Sequence, residues 1–203
     1  MRKTEIVLIV LVLAVLPLNF LWISGSTFFS AIFLNLLSLL YFCFGFALFN
    51  GIRLRHIFKR RSYDGIKDAR LAGAIITGFS LAVLLFGILL KSQMWGGGNL
   101  MLQIGLFCLV LSLILLGIVR SKVEPDFFKR ILIRIGLFGL IGALFYLTPR
   151  SYILESKYGD YPDYVNARKA YWAAPDNEML KEQMYLEREK MEYDRFGIEP
   201  IDE

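Results

Sequence analysis

Five long apolar runs interrupt an otherwise mixed chain, at residues 6 to 21 or 23, 28–49, 71–90, 100–119 and 131–147. Charged residues stand only at or near their ends, and the polar residues collect between the runs and after residue 148. A helix rising 1.5 Å per residue needs about 20 residues to cross a hydrocarbon core of about 30 Å. Hydrocarbon offers the backbone no hydrogen-bond partner, so each run predicts a helix that satisfies its own amides. The period-2 alternation of a membrane barrel is missing. The pattern therefore predicts an all-α integral membrane protein of about five transmembrane helices, residues 1–148, with an extramembrane helical tail, residues 149–203.

The connections add the pairing. Residues 23–27 and 93–99 are short turns, so the first four runs predict two antiparallel hairpins and the fifth stands alone. Leu13-Ala14-Val15-Leu16 in the first hairpin echoes Leu81-Ala82-Val83-Leu84 in the second. That echo fits either a duplication or the general likeness of apolar helices.

Charge orients the bundle. The 51–70 linker carries seven basic residues, Arg53, Arg55, Lys59, Arg60, Arg61, Lys67 and Arg70, against Asp64 and Asp68. The 120–130 linker carries Arg120, Lys122, Lys129 and Arg130, and Arg2-Lys3 precede the first run. Basic loops stay cytoplasmic, so the N-terminus and both linkers are expected inside a bacterial inner membrane, with the short turns and the tail on the periplasmic side. Lys91 is expected to snorkel to the outer interface beside Trp22 and Trp95. The first run is expected to be retained rather than cleaved, since Glu5, Pro17 and Phe20-Leu21-Trp22 fit a signal peptide poorly.

Hydrophobic residues make up 56% of the 203 residues and charged residues 20%, and mean hydropathy is +0.53, which sets the chain apart from ordinary soluble domains. Residues 1–148 hold 15 basic and 5 acidic side chains, and residues 149–203 hold 8 and 13. The overall basicity therefore reflects topology and predicts no nucleic-acid partner, although the 56–61 stretch suits contact with anionic lipid headgroups. A single histidine, His56, and two cysteines, Cys43 and Cys108, both within apolar runs, predict neither a metal cluster nor a cofactor. Gly96-Gly97-Gly98 is not followed by Lys-Ser/Thr, so it reads as a turn and not as a phosphate loop.

Within the runs, Glu5, Lys91 and Arg134 are expected only at helix ends, which argues against ion-coupled chemistry. Small residues at spacings of three and four, Gly136, Gly139 and Ala143 on the fifth run and Ala74 and Gly78 on the third, are candidates for close helix packing. Gln103 and Asn35 are candidates for hydrogen bonds between helices, or for lining a polar path with Ser38. In the tail, Asp163 to Ala173 predicts one helix, and Pro175-Asp176-Asn177-Glu178 starts another that Gly197 and Pro200 stop. Met179, Leu180, Met184, Leu186, Met191 and Tyr193 recur near helical spacing. With Trp172 they are candidates for docking a protein partner, because an acidic tail this short is expected to bury little by itself.

The stretch from Gly87 to Leu106, with Lys91, Trp95-Gly96-Gly97-Gly98 and Met101-Leu102-Gln103-Ile104-Gly105-Leu106, resembles the first transmembrane hairpin of the inner-membrane motor subunit of the gliding-motility and type 9 secretion system of Bacteroidota. The resemblance covers roughly residues 71–119. It implies a hairpin in a bacterial inner membrane and a place in a larger assembly. That family carries a membrane-buried Glu after the turn. Residues 106–110 here are Leu-Phe-Cys-Leu-Val, so the motor role does not transfer. Together these readings predict a non-enzymatic accessory subunit of a membrane complex, whose partners are other membrane subunits and lipid. The alternative is a small-molecule or lipid transporter, or a lipid-modifying membrane enzyme.

Overall fold

A computed structural model describes residues 2–19, 25–63, 65–120 and 124–197. Trp22 and most of the first predicted turn, as well as Asp64, Lys122 and Pro200, lie outside them. The described residues form eight α-helices and no strand. They are α1 (Arg2–Leu18), α2 (Ser26–Phe49), α3 (Asp68–Ser92), α4 (Gly98–Ile118), α5 (Pro125–Leu147), α6 (Arg150–Tyr158), α7 (Pro162–Ala173) and α8 (Glu178–Phe196). Two short 3-10 turns, Leu54–His56 and Arg60–Tyr63, shape the basic linker. The chain divides into two compact units, Met1–Thr148 and Pro149–Glu203.

Four helices, α2 to α5, are long and apolar enough to cross a membrane. The described part of the first run is α1, with 17 residues. At 1.5 Å per residue that is about 25 Å, short of the hydrocarbon core, and its expected continuation lies outside the described residues. Local chemistry sets the helix ends. Gly97, at φ +77°, takes the left-handed turn that leads into α4. Pro125 opens α5, where its missing N–H costs nothing. Pro149 follows Thr148 and forces it out of helical geometry, ending α5.

The first unit is organised around α3, which packs on α2, α4 and α5. The approach is close enough to be backbone on backbone. A Cβ added at Gly45 of α2 would lie 2.8 Å from Gly78 Cα of α3, and one added at Gly78 would lie 2.9 Å from the Tyr41 carbonyl. Between α3 and α4 the same holds three times along the hairpin: Gly87 against Leu102 N at 2.8 Å, Gly98 against Lys91 N at 2.8 Å, and Gly105 against Leu84 Cα at 2.6 Å. From α5, a Cβ at Gly142 would meet the Leu84 methyl at 2.6 Å. Lipid is as apolar as leucine, so contact area and interhelical hydrogen bonds hold such helices together. Ser38 Oγ donates to the Ala82 carbonyl (2.9 Å), and the Ser80 and Ser112 hydroxyls meet at 3.0 Å.

The candidate packing residues are distributed unevenly. Ala74 is fully buried and Gly78 sits in the α2–α3 crossing. On α5 the buried row is Phe127, Ile131, Ile135, Phe138 and Gly142. Gly136 faces open space, Gly139 reaches only a Leu109 methyl at 3.8 Å, and Ala143 is half-buried. The small-residue row on α5 is thus turned off the inner seam, because the large side chains of the neighbouring row fill it. Gln103 is exposed and donates from Nε2 to the Tyr146 hydroxyl (2.8 Å), tying α4 to α5. Asn35 lies on the outer face of α2.

Glycine substitutions separate the two rows. Gly105→Ala drives a methyl into the Leu84 backbone and should destabilise the bundle by about 1–3 kcal/mol. Gly136→Ala meets nothing and should be neutral or stabilising by up to about 1 kcal/mol. Unfolding of the two variants in mixed micelles against a denaturing detergent measures the difference. Equal effects would show that the close α3–α4 approach does not exist.

Candidate functional site

Three side chains from three helices close on one another inside the first unit. Glu5 stands in the first turn of α1, where an acid complements the helix dipole. Arg134 stands in the third turn of α5, roughly 13 Å along that helix. Tyr41 lies on α2, its ring stacked against Phe49 (5.9 Å between centroids) and edge-on to Phe138 (5.9 Å). The Glu5 side chain is 1% exposed and that of Arg134 14%. Arg134 grips the carboxylate with both edges of its fork: Nε donates to Oε1 at 2.5 Å and Nη2 to Oε2 at 2.6 Å. The Tyr41 hydroxyl donates to Oε1 at 2.8 Å. The remaining edge of the guanidinium donates through Nη1 to the Arg130 carbonyl (2.8 Å), and its face lies 5.3 Å from the Phe49 ring centroid.

For Arg134 this geometry corrects the expectation that charge stands only at the ends of the spans, whereas Glu5 keeps its place in the first turn of α1 and is buried there. Helix register is the reason. At the other end of the first hairpin Asn19 Nδ2 donates to Ser30 Oγ (2.6 Å), which sets Glu5 opposite Tyr41. From there α2 continues about two turns beyond the Glu5 level. The carboxylate is thereby carried inward to a depth where only a bidentate partner compensates its lost hydration. The sequence held one signal for the pair, an acid in the first run and an arginine in the fifth, since membrane charges tend to pair. Tyr41 gave none.

Lys91 is a second correction. Instead of snorkelling it is 4% exposed, and its Nζ donates to the Tyr146 carbonyl at 3.1 Å. Tyr146 is in the last turn of α5, whose final carbonyls have no partner within the helix. A cation there also faces the negative end of the helix dipole. Gly98, packed on the Lys91 backbone, brings α4 over the same spot. Lys91 is therefore a cap for α5 delivered from α3. At the same end Gln93 Nε2 donates to the Thr27 carbonyl (3.0 Å), linking the two hairpins.

The second unit builds a small interior of its own. Helix α6, not anticipated from the sequence, buries Ile153, Leu154 and Lys157, and α7 buries Tyr164, Val165 and Ala167. Helix α8 packs on α7 and starts at Asn177, whose side chain accepts from the Met179 and Leu180 amides. The expected docking stripe splits. Met184 and Met191 are buried, Leu180 is half-buried, and Met179 and Leu186 are exposed. Trp172 is half-buried, with the guanidinium groups of Arg150 and Arg168 at 4.4 and 5.7 Å from its ring. Arg168 also hydrogen-bonds the Tyr164 hydroxyl. Burial, with the nearby Arg168 second, pulls Lys157 down to about 8.

Among the described residues no three His, Cys, Asp or Glu side chains gather as a metal site would require. Comparison with known protein families, with curated proteins and with solved structures finds no match for this chain. What the Glu5–Tyr41–Arg134 cluster can do follows from its geometry. Each carboxylate oxygen is taken by an inward-facing donor, so it locks α1, α2 and α5 in one arrangement.

Removing one partner of a buried pair costs about 3–5 kcal/mol, because the other charge is left uncompensated. Glu5→Met and Arg134→Met should each lower stability on that scale, while the two together should cost far less than the two single losses added. A double-mutant cycle on micelle unfolding measures the coupling, and additive single losses would show that the pair does not form. Lys157 supplies a pH test. Its folded value lies below the ordinary lysine value of 10.5. Between about 8 and 10.5 the folded tail has released a proton that the unfolded chain still holds, so tail stability rises with pH across that window and the penalty is fully present below it. Lys157→Met should stabilise the tail at pH 7 by on the order of 2–3 kcal/mol and remove that part of the rise. Trp172 fluorescence during denaturation reads both, and parallel pH profiles for the variant and the parent would refute the assignment.

Proposed function

We propose that this chain is a non-enzymatic accessory subunit of a bacterial inner-membrane complex, with its N-terminus and basic linkers cytoplasmic and its tail periplasmic. The observation that carries the reading is the outward face of α8. Met179, Leu186 and Tyr193 recur every seven residues and are 79%, 51% and 51% exposed, with Tyr185 beside them. The inner face of the same helix already packs through Met184 and Met191. A helix whose core side is satisfied gains nothing in water from further exposed large apolar side chains, and a covering protein surface would bury them. The net charge of the tail, with 13 acids against 8 bases, disfavours anionic lipid as the covering surface. The likeness of residues 71–119 to a motor-subunit hairpin supports a link to secretion or gliding machinery. The basic residues of the 51–70 and 120–130 linkers support the orientation.

Purification of the full chain in mild detergent from its native membrane tests the proposal. Leu186→Asp with Tyr193→Asp should reduce co-purifying subunits at least about tenfold, because each change places a charge against an apolar surface. Yield and membrane insertion should not change. In intact cells, with Cys43 and Cys108 replaced by Ser, cysteines at Ser62 and Ser156 should label from opposite sides of the membrane. A parent that purifies alone, or a variant that keeps its partners, would overturn the subunit reading, and labelling from one side would overturn the orientation.

A further inference from the structure

Helix α2 carries an outward face with an internal order, packed by its own chain at Phe42, against Phe79, and at Phe46, against Tyr63. Phe28, Ile32, Asn35, Leu39, Phe42 and Phe46 follow one another at alternating steps of four and three, the 3.5-residue repeat by which two helices wind along a shared seam. Phe28, Leu39 and Phe42 are 65%, 53% and 60% exposed, and Ile32 and Phe46 are half-buried. The face carries no charge. Its one strongly polar member is Asn35, exposed, roughly 14 Å from one end of the helix and 21 Å from the other. Asn35 has no hydrogen-bond partner among the described residues. At that depth neither water nor lipid headgroups reach the carboxamide, and an unsatisfied amide in hydrocarbon is costly.

We propose that this face of α2 pairs two copies of the chain side by side, with Asn35 of one copy hydrogen-bonded to Asn35 of the other. The chemistry of the residue selects the occupant. An acyl chain fits an apolar seam but offers the carboxamide nothing. A carboxamide is its own complement, with one acceptor and two donors. A two-fold axis along the membrane normal is the commonest oligomer symmetry, and it brings a residue on the axis against itself. Copies inserted in the same orientation present α2 in parallel, so the two seams meet in register and the single Asn fixes that register. Asn35 itself lines a groove of ≈ 210 Å³ between α2 and α3, with Ser38, Phe42, Phe79, Ala82 and Phe86, and this groove receives a large side chain from the facing helix. This pairing is independent of the docking of α8, because it lies on another helix and uses a different partner.

The test uses the full chain in lipid bilayers, with Cys43 and Cys108 replaced by Ser. Leu39→Cys, on the seam, should form a disulfide-linked dimer on mild oxidation. Leu140→Cys, on the exposed face of α5, should remain monomeric under the same conditions. Fluorescence energy transfer between labelled copies, followed on dilution with lipid, should show dimers that Asn35→Leu weakens about 3- to 30-fold, the range for a hydrogen bond between membrane helices. Asn35→Leu places an apolar side chain on an outward face, so the fold should survive it. Three results would each overturn the proposal. They are a chain that stays monomeric at every dilution, equal cross-linking on and off the seam, and an Asn35→Leu variant that pairs as tightly as its parent. The first is expected if lipid or a foreign helix covers the face.

Discussion

Everything in the membrane unit rests on how closely other helices approach α3. In water an apolar helix is driven onto its neighbours by the surface it hides, but between helices in lipid that drive is missing and only contact distance and polar bonds discriminate. Glycine at 45, 78, 87, 98 and 105 removes the Cβ where backbones meet, on α3 itself and on the helices around it, and Gly142 removes it where α5 meets the Leu84 methyls. The approach then brings hydroxyls and carbonyls within reach, as at Ser38 with Ala82 and Ser80 with Ser112. Close packing and polar bonding are therefore one device, since neither survives a wider spacing.

The same spacing decides what the charges do. With α2 and α5 both seated near α3, the Tyr41 hydroxyl and the Arg134 guanidinium converge on the place where α1 delivers Glu5. A buried pair of this kind is a poor source of net stability, because desolvation offsets most of the attraction, but it rejects any arrangement that leaves one charge alone. It selects where α1 docks. Lys91 works at the opposite end by capping α5 from α3, so the two ends are closed by different chemistry, a salt bridge and a cation on orphan carbonyls.

The tail solves a different problem. Helices α7 and α8 bury Tyr164, Val165, Met184 and Met191, while cationic groups are held against aromatic rings at Trp172 and Tyr164. What remains outward, Met179, Leu186 and Tyr193 on α8, is surface beyond what this interior uses. The Asn35 face of α2 is its counterpart in the membrane unit, a row whose chemistry its own chain leaves unanswered.

The sequence alone determined the helical character and four of the five spans it predicted, because run length and the need for internal backbone bonding leave hydrocarbon-crossing segments little choice. It also showed that residues 74 and 78 suit a close crossing. It did not determine which face of each helix turns inward. Gly136 and Gly142 look alike in a spacing pattern, and only the filled row of Phe127, Ile131 and Phe138 decides that the second is buried and the first open. Nor did it place the charges. Glu5, Lys91 and Arg134 stand near helix ends in the chain, and their depth follows from the register between helices, which the hydrogen bond from Asn19 to Ser30 and the glycine contacts set. The apolar stripe of α8 split for the same reason, since a periodic row names the residues that can be buried and a neighbour's surface chooses among them. Composition and periodicity are properties of one segment at a time, whereas register and burial belong to pairs of segments, and only the tertiary structure relates them.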